Sequence, residues 1–164
     1  MSAATSLSEP ARAPSPVSIR AEGRLASRFA RAGARTALAD LRESGGYRLK
    51  FPRGGGCEAV IVNTGGGVAG GDDLDFAFSC DAGASATITS QAAEKLYRSD
   101  GAPVTMHVAL TVAEDAALHW LPQETILFDG ARLKRRFAID LAPSASALFR
   151  HSAFGRKINQ RSAD

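Results

Sequence analysis

Along most of the chain, apolar and polar side chains alternate with a period of two. Leu25, Ser27 and Phe29 share one side of RLASRFARAG, and Tyr47, Leu49 and Phe51 share one side of YRLKF. Leu74, Phe76, Phe78 and Cys80 alternate through DLDFAFSC. Val104, Met106, Val108, Leu110 and Val112 do the same through PVTMHVALTV, as do Phe137, Ile139 and Leu141 through RLKRRFAIDL. Successive side chains of a strand point to opposite faces, so each run predicts a strand with one buried side. Gly, Pro, Asn and Asp gather between most of the runs, where turns are needed. No long stretch shows the 3.6-residue period of an amphipathic helix. SQAAEKLYRSDG (Ser90 to Gly101) is predicted to form one short helical turn, stopped by Gly101 and Pro103. The fold class is mostly β, with few short helices.

Three of these strands are each followed by an Ala-rich turn and a second strand: DLDFAFSC-DAGA-SATIT, MHVALTV-AEDA-ALHWL and RFAIDL-APSA-SALF. The turns end at Ala84, Ala116 and Ala145, a spacing of 32 and then 29 residues. Self-similarity at such a period points to stacked strand pairs, a solenoid-like or β-helical ladder. Chance likeness among Ala-rich hairpins, or a simple sandwich, would give the same pattern. The first 16 residues, with Pro10, Pro14 and Pro16 among Ser and Ala, predict a disordered leader. Residues 17–156 are expected to form one β domain, and 157–164 a divergent tail.

The 164 residues suffice for one domain with a core, and 45% hydrophobic content is that of an ordinary globular chain. No run of 18 apolar residues and no apolar signal core is present, so the expected address is cytoplasmic, with no membrane contact. Of the net charge of +3, the basic share is early: residues 1–53 hold ten Arg/Lys against four Asp/Glu. Arg20, Arg24, Arg28, Arg31 and Arg35 follow strand-like spacing without interleaved aromatics. They therefore read as a solvated or interface-forming strand face rather than a nucleic-acid platform. Cys57 and Cys80 lie outside any C-x-x-C pair and are expected to be free thiols.

The string VNTGGGVAGGDDLDF holds Gly65-x-Gly67-x-x-Gly70, the letters of a dinucleotide-binding turn. Such a turn needs a helix behind it, whose N-terminus receives the pyrophosphate. Here DDLDFAF continues as a strand, and Asp72 and Asp73 would repel a phosphate. No Gly-Lys-Ser/Thr follows, which removes a P-loop. The glycines are therefore expected to serve a tight strand–turn–strand passage. For the two aspartates, two readings stay open: Asx-type turn capping, or oxygen ligands to a divalent cation.

NTGGGVAGGDDL resembles a signature of the UreD urease accessory proteins. TSQAAEKLYRS (Thr89 to Ser99) is similar to that family's TTQAA-x-K-x-YRS segment, with Ser90 in place of the second Thr. LHWLPQETILFDGARLKR (Leu118 to Arg135) resembles its WLPQE-x-I-x-F-x-x-A stretch. The likeness runs in order from about Arg24 to Arg156. It implies a β-rich, solenoid-like scaffold and metallochaperone rather than an enzyme. Such a scaffold joins accessory proteins F and G (UreF and UreG), docks on apo-urease and helps insert nickel, which passes in transit and is not stably bound. Asp72 and Asp73 fall among the groups implied to line its passage.

A transit path must bind weakly, which suits a few carboxylates better than clustered imidazoles or thiolates. His107, His119 and His151 are scattered accordingly, with His107 expected to be exposed, and Cys57 reads as a small hydrophobe. Trp120, Leu121, Ile126 and Phe128 read as core. Pro122 should bend the strand and project Gln123 and Glu124 toward a partner or the passage, a structural hydrogen bond being the alternative. Lys95, Tyr97 and Arg98 form a basic-aromatic group of interface character, or snorkel over the core.

The likeness ends near Gly155–Arg156. Arg150 stands where the family carries an acid, and Gln160–Arg161 stand where it carries Gly-Glu. The end of the chain thus reads as that of a truncated or frame-shifted gene, whose uncapped last rung would favour aggregation. Two functions of other classes compete: a β-rich protein-binding module without a metal role, and a dinucleotide-binding oxidoreductase.

Overall fold

The computed structural model describes residues 21–54 and 56–156. The expected leader (1–16) and tail (157–164) lie outside the described residues. Thirteen strands, and no helix, occur among those described.

From residue 73 onward the chain winds through three successive coils of three strands each. The first coil is β5 (Asp73–Cys80), β6 (Ser85–Ser90) and β7 (Glu94–Leu96). The second is β8 (Val104–Val112), β9 (Ala117–Trp120) and β10 (Thr125–Phe128). The third is β11 (Leu133–Leu141), β12 (Ser146–Phe149) and β13 (Ala153–Arg156). Equivalent strands pair in parallel, so the coils build three sheets. Before them, β1 (Glu22–Ala32) lies parallel to β5, and β4 (Glu58–Asn63) lies parallel to β6. The hairpin partners β2 (Arg35–Gly45) and β3 (Tyr47–Lys50) run antiparallel to β1 and β4 and finish that end of the stack.

The register explains why the sequence repeats. Leu25, Phe76, Val108 and Phe137 form one inward ladder across β1, β5, β8 and β11. Ser27, Phe78, Leu110 and Ile139 form a second, and Phe29, Cys80, Val112 and Leu141 a third. Inward residues of β5 and β8 are buried, each apolar one removed from water contributing about 1.5–3 kcal/mol. The Ala-rich turns are the corner between the first two sheets, where small residues let successive corners stack. Ala84 and Ala116 are buried, and Gly83 N donates to Glu114 O at 2.9 Å and Ala117 N to Ala84 O at 2.8 Å. The 32-residue spacing is therefore one full coil, and the ladder reading prevails over both sandwich and chance.

Two expectations give way. The segment expected to form a helical turn is β7, because its backbone bonds go sideways to the neighbouring coils rather than to its own preceding turn: Val68 N donates to Lys95 O, and Tyr97 N to Val68 O. The alternating run Phe137–Ile139–Leu141 is not a buried face throughout: Phe137 is half-buried, and Ile139 and Leu141 are 43% and 45% exposed, since no described coil covers the last one. Phe51, beyond the end of β3, is also exposed.

Candidate functional site

The glycine loop between β4 and β5 is a strand-like side of the coil stack. Val68 forms a parallel bridge with Leu96, so the loop adds a rung to the sheet of β7, β10 and β13. Close packing explains its glycines. A Cβ on Gly67, whose φ is 147°, would meet Tyr97 Cε2 at 2.5 Å and Lys95 O at 2.9 Å. On Gly70 it would meet Ser99 Oγ at 2.0 Å and Ala102 O at 2.6 Å. A strand, not a helix, begins at Asp73, so no helix N-terminus faces a phosphate.

The paired aspartates diverge. Asp72 is buried, and its two oxygens accept from Ala21 N at 2.8 Å and Ala69 N at 2.9 Å, the turn-capping alternative. Asp73 faces outward from β5. Its carboxylate accepts from Thr105 Oγ1 and from Arg24, both at 2.6 Å, and these bonds hold its pKa below the usual carboxylate value. The two carboxylates are not brought to one cavity. Arg24 and Arg28, paired with Asp73 and Asp81 on half-exposed side chains, are the solvated strand face expected of the early arginines.

Inside the stack lies a polar cluster that pattern reading passed over. Tyr47 OH donates to Glu94 Oε2 at 2.9 Å, while Asn63 Nδ2 donates to Glu94 Oε1 at 2.8 Å and to the Tyr47 hydroxyl at 3.0 Å. Burial raises the Glu94 carboxyl above its ordinary range, opposed by those hydrogen bonds and by the charge of Arg135. Burial also raises Tyr47, with Glu94 and Asp72 adding to the effect, and lowers Arg135. Arg135 sits inward on β11, donates to Thr125 Oγ1 at 3.0 Å and contacts His151. Burial and then the Arg135 charge lower His151. A cavity of about 40 Å³, lined by Glu94, Trp120, Gln123, Thr125, Arg135 and His151 among others, has room for one or a few waters. Trp120 Nε1 and Arg135 Nε are buried without an acceptor among the described residues. The available signal was Arg135 in an apolar phase, sharing a strand face with Leu133 and Phe137.

The remaining candidates separate. Gln123 is exposed at the bend after Trp120, where its backbone N–H is held by Ser90 Oγ at 2.9 Å, and it lines the cavity. Glu124 is half-buried, and its carbonyl accepts from Glu94 N at 2.9 Å. Trp120 is core, whereas Leu121, Ile126 and Phe128 are only half-buried. Lys95 and Tyr97 lie on the outer face of the third sheet, where Tyr97 stacks on Phe128 with centroids 5.3 Å apart. The register puts Lys95, Ile126 and Phe154 in the adjacent row, and Phe154 is 61% exposed. Arg98 packs over Gly130 and pairs loosely with Asp100 at 3.6 Å. His107 is partly exposed beside Asp75 at 3.7 Å. Cys57 and Cys80 are free; burial raises both thiols, Cys80 to about 12. Among the described residues, no group of three or more His, Cys, Asp or Glu is placed to hold a metal ion, and no helix is long and apolar enough to cross a membrane.

Coils stacked on an apolar core, one internal polar cluster and an outward aromatic–cationic face define a β-coil scaffold. The particular scaffold follows from comparison with known proteins: residues 21–163 match the UreD urease accessory protein family, and the chain belongs to it. It is 51% identical to urease accessory protein UreD 2 of Methylorubrum populi over 142 residues, which are 82% of this chain and 48% of that relative. It is 46% identical to UreD of Azorhizobium caulinodans over 140 residues, 84% of this chain and 52% of the relative. UreD of Xanthobacter autotrophicus is 52% identical over 130 residues, 79% and 45% of the two chains. The chain thus spans about half the length of these curated relatives.

Proposed function

We propose that this chain acts in urease maturation as a non-catalytic scaffold that guides nickel toward apo-urease together with accessory proteins F and G. The observation that carries the reading is the polar cluster inside an otherwise apolar stack. Asn63, Tyr47 and Glu94 satisfy one another by hydrogen bonds, and together they keep an interior carboxylate, Glu94, beside a water-sized cavity within a largely apolar stack. Few oxygen donors and scattered imidazoles would hold Ni²⁺ loosely enough to release it. Asp72 and Glu94 are the interior carboxylates in this reading; Asp73 contributes to the outer surface. Lys95, Tyr97 and Arg98, with Ile126, Phe128 and Phe154, offer the face for the accessory partners, aromatics and cations being frequent anchors of interfaces.

The test is co-expression with the urease subunits and the other accessory proteins in a strain lacking its own UreD. Glu94→Gln should leave the complex with accessory protein F intact while lowering the nickel content of purified urease several-fold. Tyr97→Ala with Phe154→Ala should weaken the complex itself. Undiminished nickel loading in the Glu94→Gln strain refutes the transit role. The outward face by itself favours a second reading, a protein-binding module without a metal role. That reading is the one left if the face variants lose the complex and the interior variant does nothing.

A further inference from the structure

A cavity of about 420 Å³ opens on the outer face of the sheet of β4, β6 and β9, across that sheet from the interior cluster. Alternation builds its floor. Ala86, Ile88, Leu118 and Trp120 point into the core, so Ser85, Thr87 and His119 point outward, and Thr87 and His119 are register partners. The β1–β2 hairpin supplies a wall. Gly33, at a φ of 64°, turns the chain there, and the hairpin leans over the corner between β5 and β6. Asp81 N donates to Phe29 O at 2.8 Å and Ser85 N to Thr36 Oγ1 at 2.8 Å, which fixes Arg35 and Thr36 beside the floor. Cys57, just before β4, also lines the cavity.

We infer that this cavity is a binding site for a compact oxyanion with two or more negative charges, of the diphosphate or polycarboxylate kind. Its lining has one sign. No Asp or Glu contributes to it, and Arg35 makes no ion pair among the described residues. Thr36 Oγ1 already accepts from Ser85 N, and no acceptor among the described residues meets its hydroxyl hydrogen, which is left to donate. Thr87 Oγ1 lies 3.4 Å from His119 Nδ1, so a hydroxyl and an imidazole stand together on the floor. Cys57 brings no charge at neutral pH, because burial raises its thiol. A guanidinium with hydroxyl and imidazole donors is the set that recognises phosphate and carboxylate oxygens. The volume falls in the range of small-molecule sites, about 300–1,000 Å³, and exceeds what one phosphate fills. No Phe, Tyr or Trp lines it, so it has no platform on which a nucleobase would stack. A metal ion fits less well, since no three His, Cys, Asp or Glu gather to hold one among the described residues. Glu58, the exposed register partner of Thr87 on β4, stands just outside the lining and opposes an anion by its charge.

The experiment titrates the purified 164-residue chain with pyrophosphate and, separately, with citrate at low ionic strength, by calorimetry and by amide NMR. At least one of the two should bind saturably with a Kd below about 1 mM, and which one binds better separates a phosphate from a carboxylate ligand. The amides that shift should be those of Ser85, Thr87 and His119. Arg35→Gln should weaken binding about tenfold or more, and Glu58→Gln should strengthen it. Arg42→Gln, an arginine of β2 whose side chain is 81% exposed and lies outside the cavity, should change nothing, which separates a site from general attraction to a basic surface. Arg35, Glu58 and Arg42 are all exposed, so circular-dichroism spectra should match the parent and confirm that each variant is folded. Failure of both anions to bind the intact chain overturns the inference. So does an Arg35→Gln variant that binds as well as the parent, or an Arg42→Gln variant that loses as much as Arg35→Gln. Neither nickel nor urease enters the readout, so its failure leaves the nickel reading untouched, and the converse also holds.

Discussion

Gly67→Ala tests the reading of the glycine loop most directly. Two penalties meet at this position. The added methyl would sit 2.5 Å from Tyr97 Cε2 and 2.9 Å from Lys95 O, and the second of these is backbone that moves only with its strand. Overpacking of this kind is worth about 1–3 kcal/mol. The φ of 147° adds backbone strain of about 1–2 kcal/mol for an L side chain. Together they predict a loss of about 2–5 kcal/mol, a large part of the 5–15 kcal/mol typical of a folded domain. Three companion variants separate the terms. Gly66→Ala, at φ 76° with nothing within 4 Å of its Cβ, carries strain alone and should lose about 1–2 kcal/mol. Gly70→Ala has ordinary φ and only the steric conflict, worth about 1–3 kcal/mol. Gly56→Ala has neither and should be neutral, or stabilising by about 0.5 kcal/mol through the unfolded chain. Urea unfolding followed by the fluorescence of Trp120, the single tryptophan, reads the series. With a slope of about 2 kcal/mol per molar, Gly67→Ala should lower the midpoint by about 1–2.5 M. A phosphate cradle predicts otherwise: Gly67→Ala would leave ligand-free unfolding unchanged and abolish binding of NAD. That outcome refutes the packing argument.

Further consequences concern the core, the interior cluster and the thiols. Leu110→Ala should lose about 2–5 kcal/mol, while Ile139→Ala, next on the same ladder but 43% exposed, should lose about 1 kcal/mol; equal losses in urea would mean that the last coil is covered after all. Tyr47→Phe removes a donor from the buried Glu94 and should destabilise by about 1–3 kcal/mol. Because the folded Glu94 value is raised above its ordinary 4.5, its ionisation opposes folding, and stability falls as pH rises from about 4.5 through that raised value. The lost hydrogen bond raises it further, so Tyr47→Phe should be more harmful at pH 7 than at pH 4; urea midpoints showing the reverse would contradict the assignment. Iodoacetamide at pH 8 should label half-buried Cys57 before Cys80, whose thiol is buried and raised to about 12. Mass spectrometry of native and unfolded protein reads the order, and equal rates in the native state would refute the burial argument.

The amino-acid sequence by itself determined the strands, their inward faces and the coil repeat. Alternation at Leu74–Cys80 and Val104–Val112 is a local property, since side chains two apart share a face whatever the strand pairs with. The same locality excluded a nucleotide turn, because a strand pattern follows Gly71 directly. What tertiary structure alone decided is which residues meet. Asp72 and Asp73 are adjacent in the chain, yet pleating sends them to opposite sides, one into a turn and one onto the surface. Tyr47 and Asn63 meet across the antiparallel β3–β4 pair, and Glu94 and Arg135, far from them in sequence, reach them across the interior from the other two sheets of the coil stack. The exposure of Ile139 and Leu141 was likewise invisible in their pattern. Periodicity reports which side of a strand is apolar, and only the packing of the next coil determines whether that side is dry.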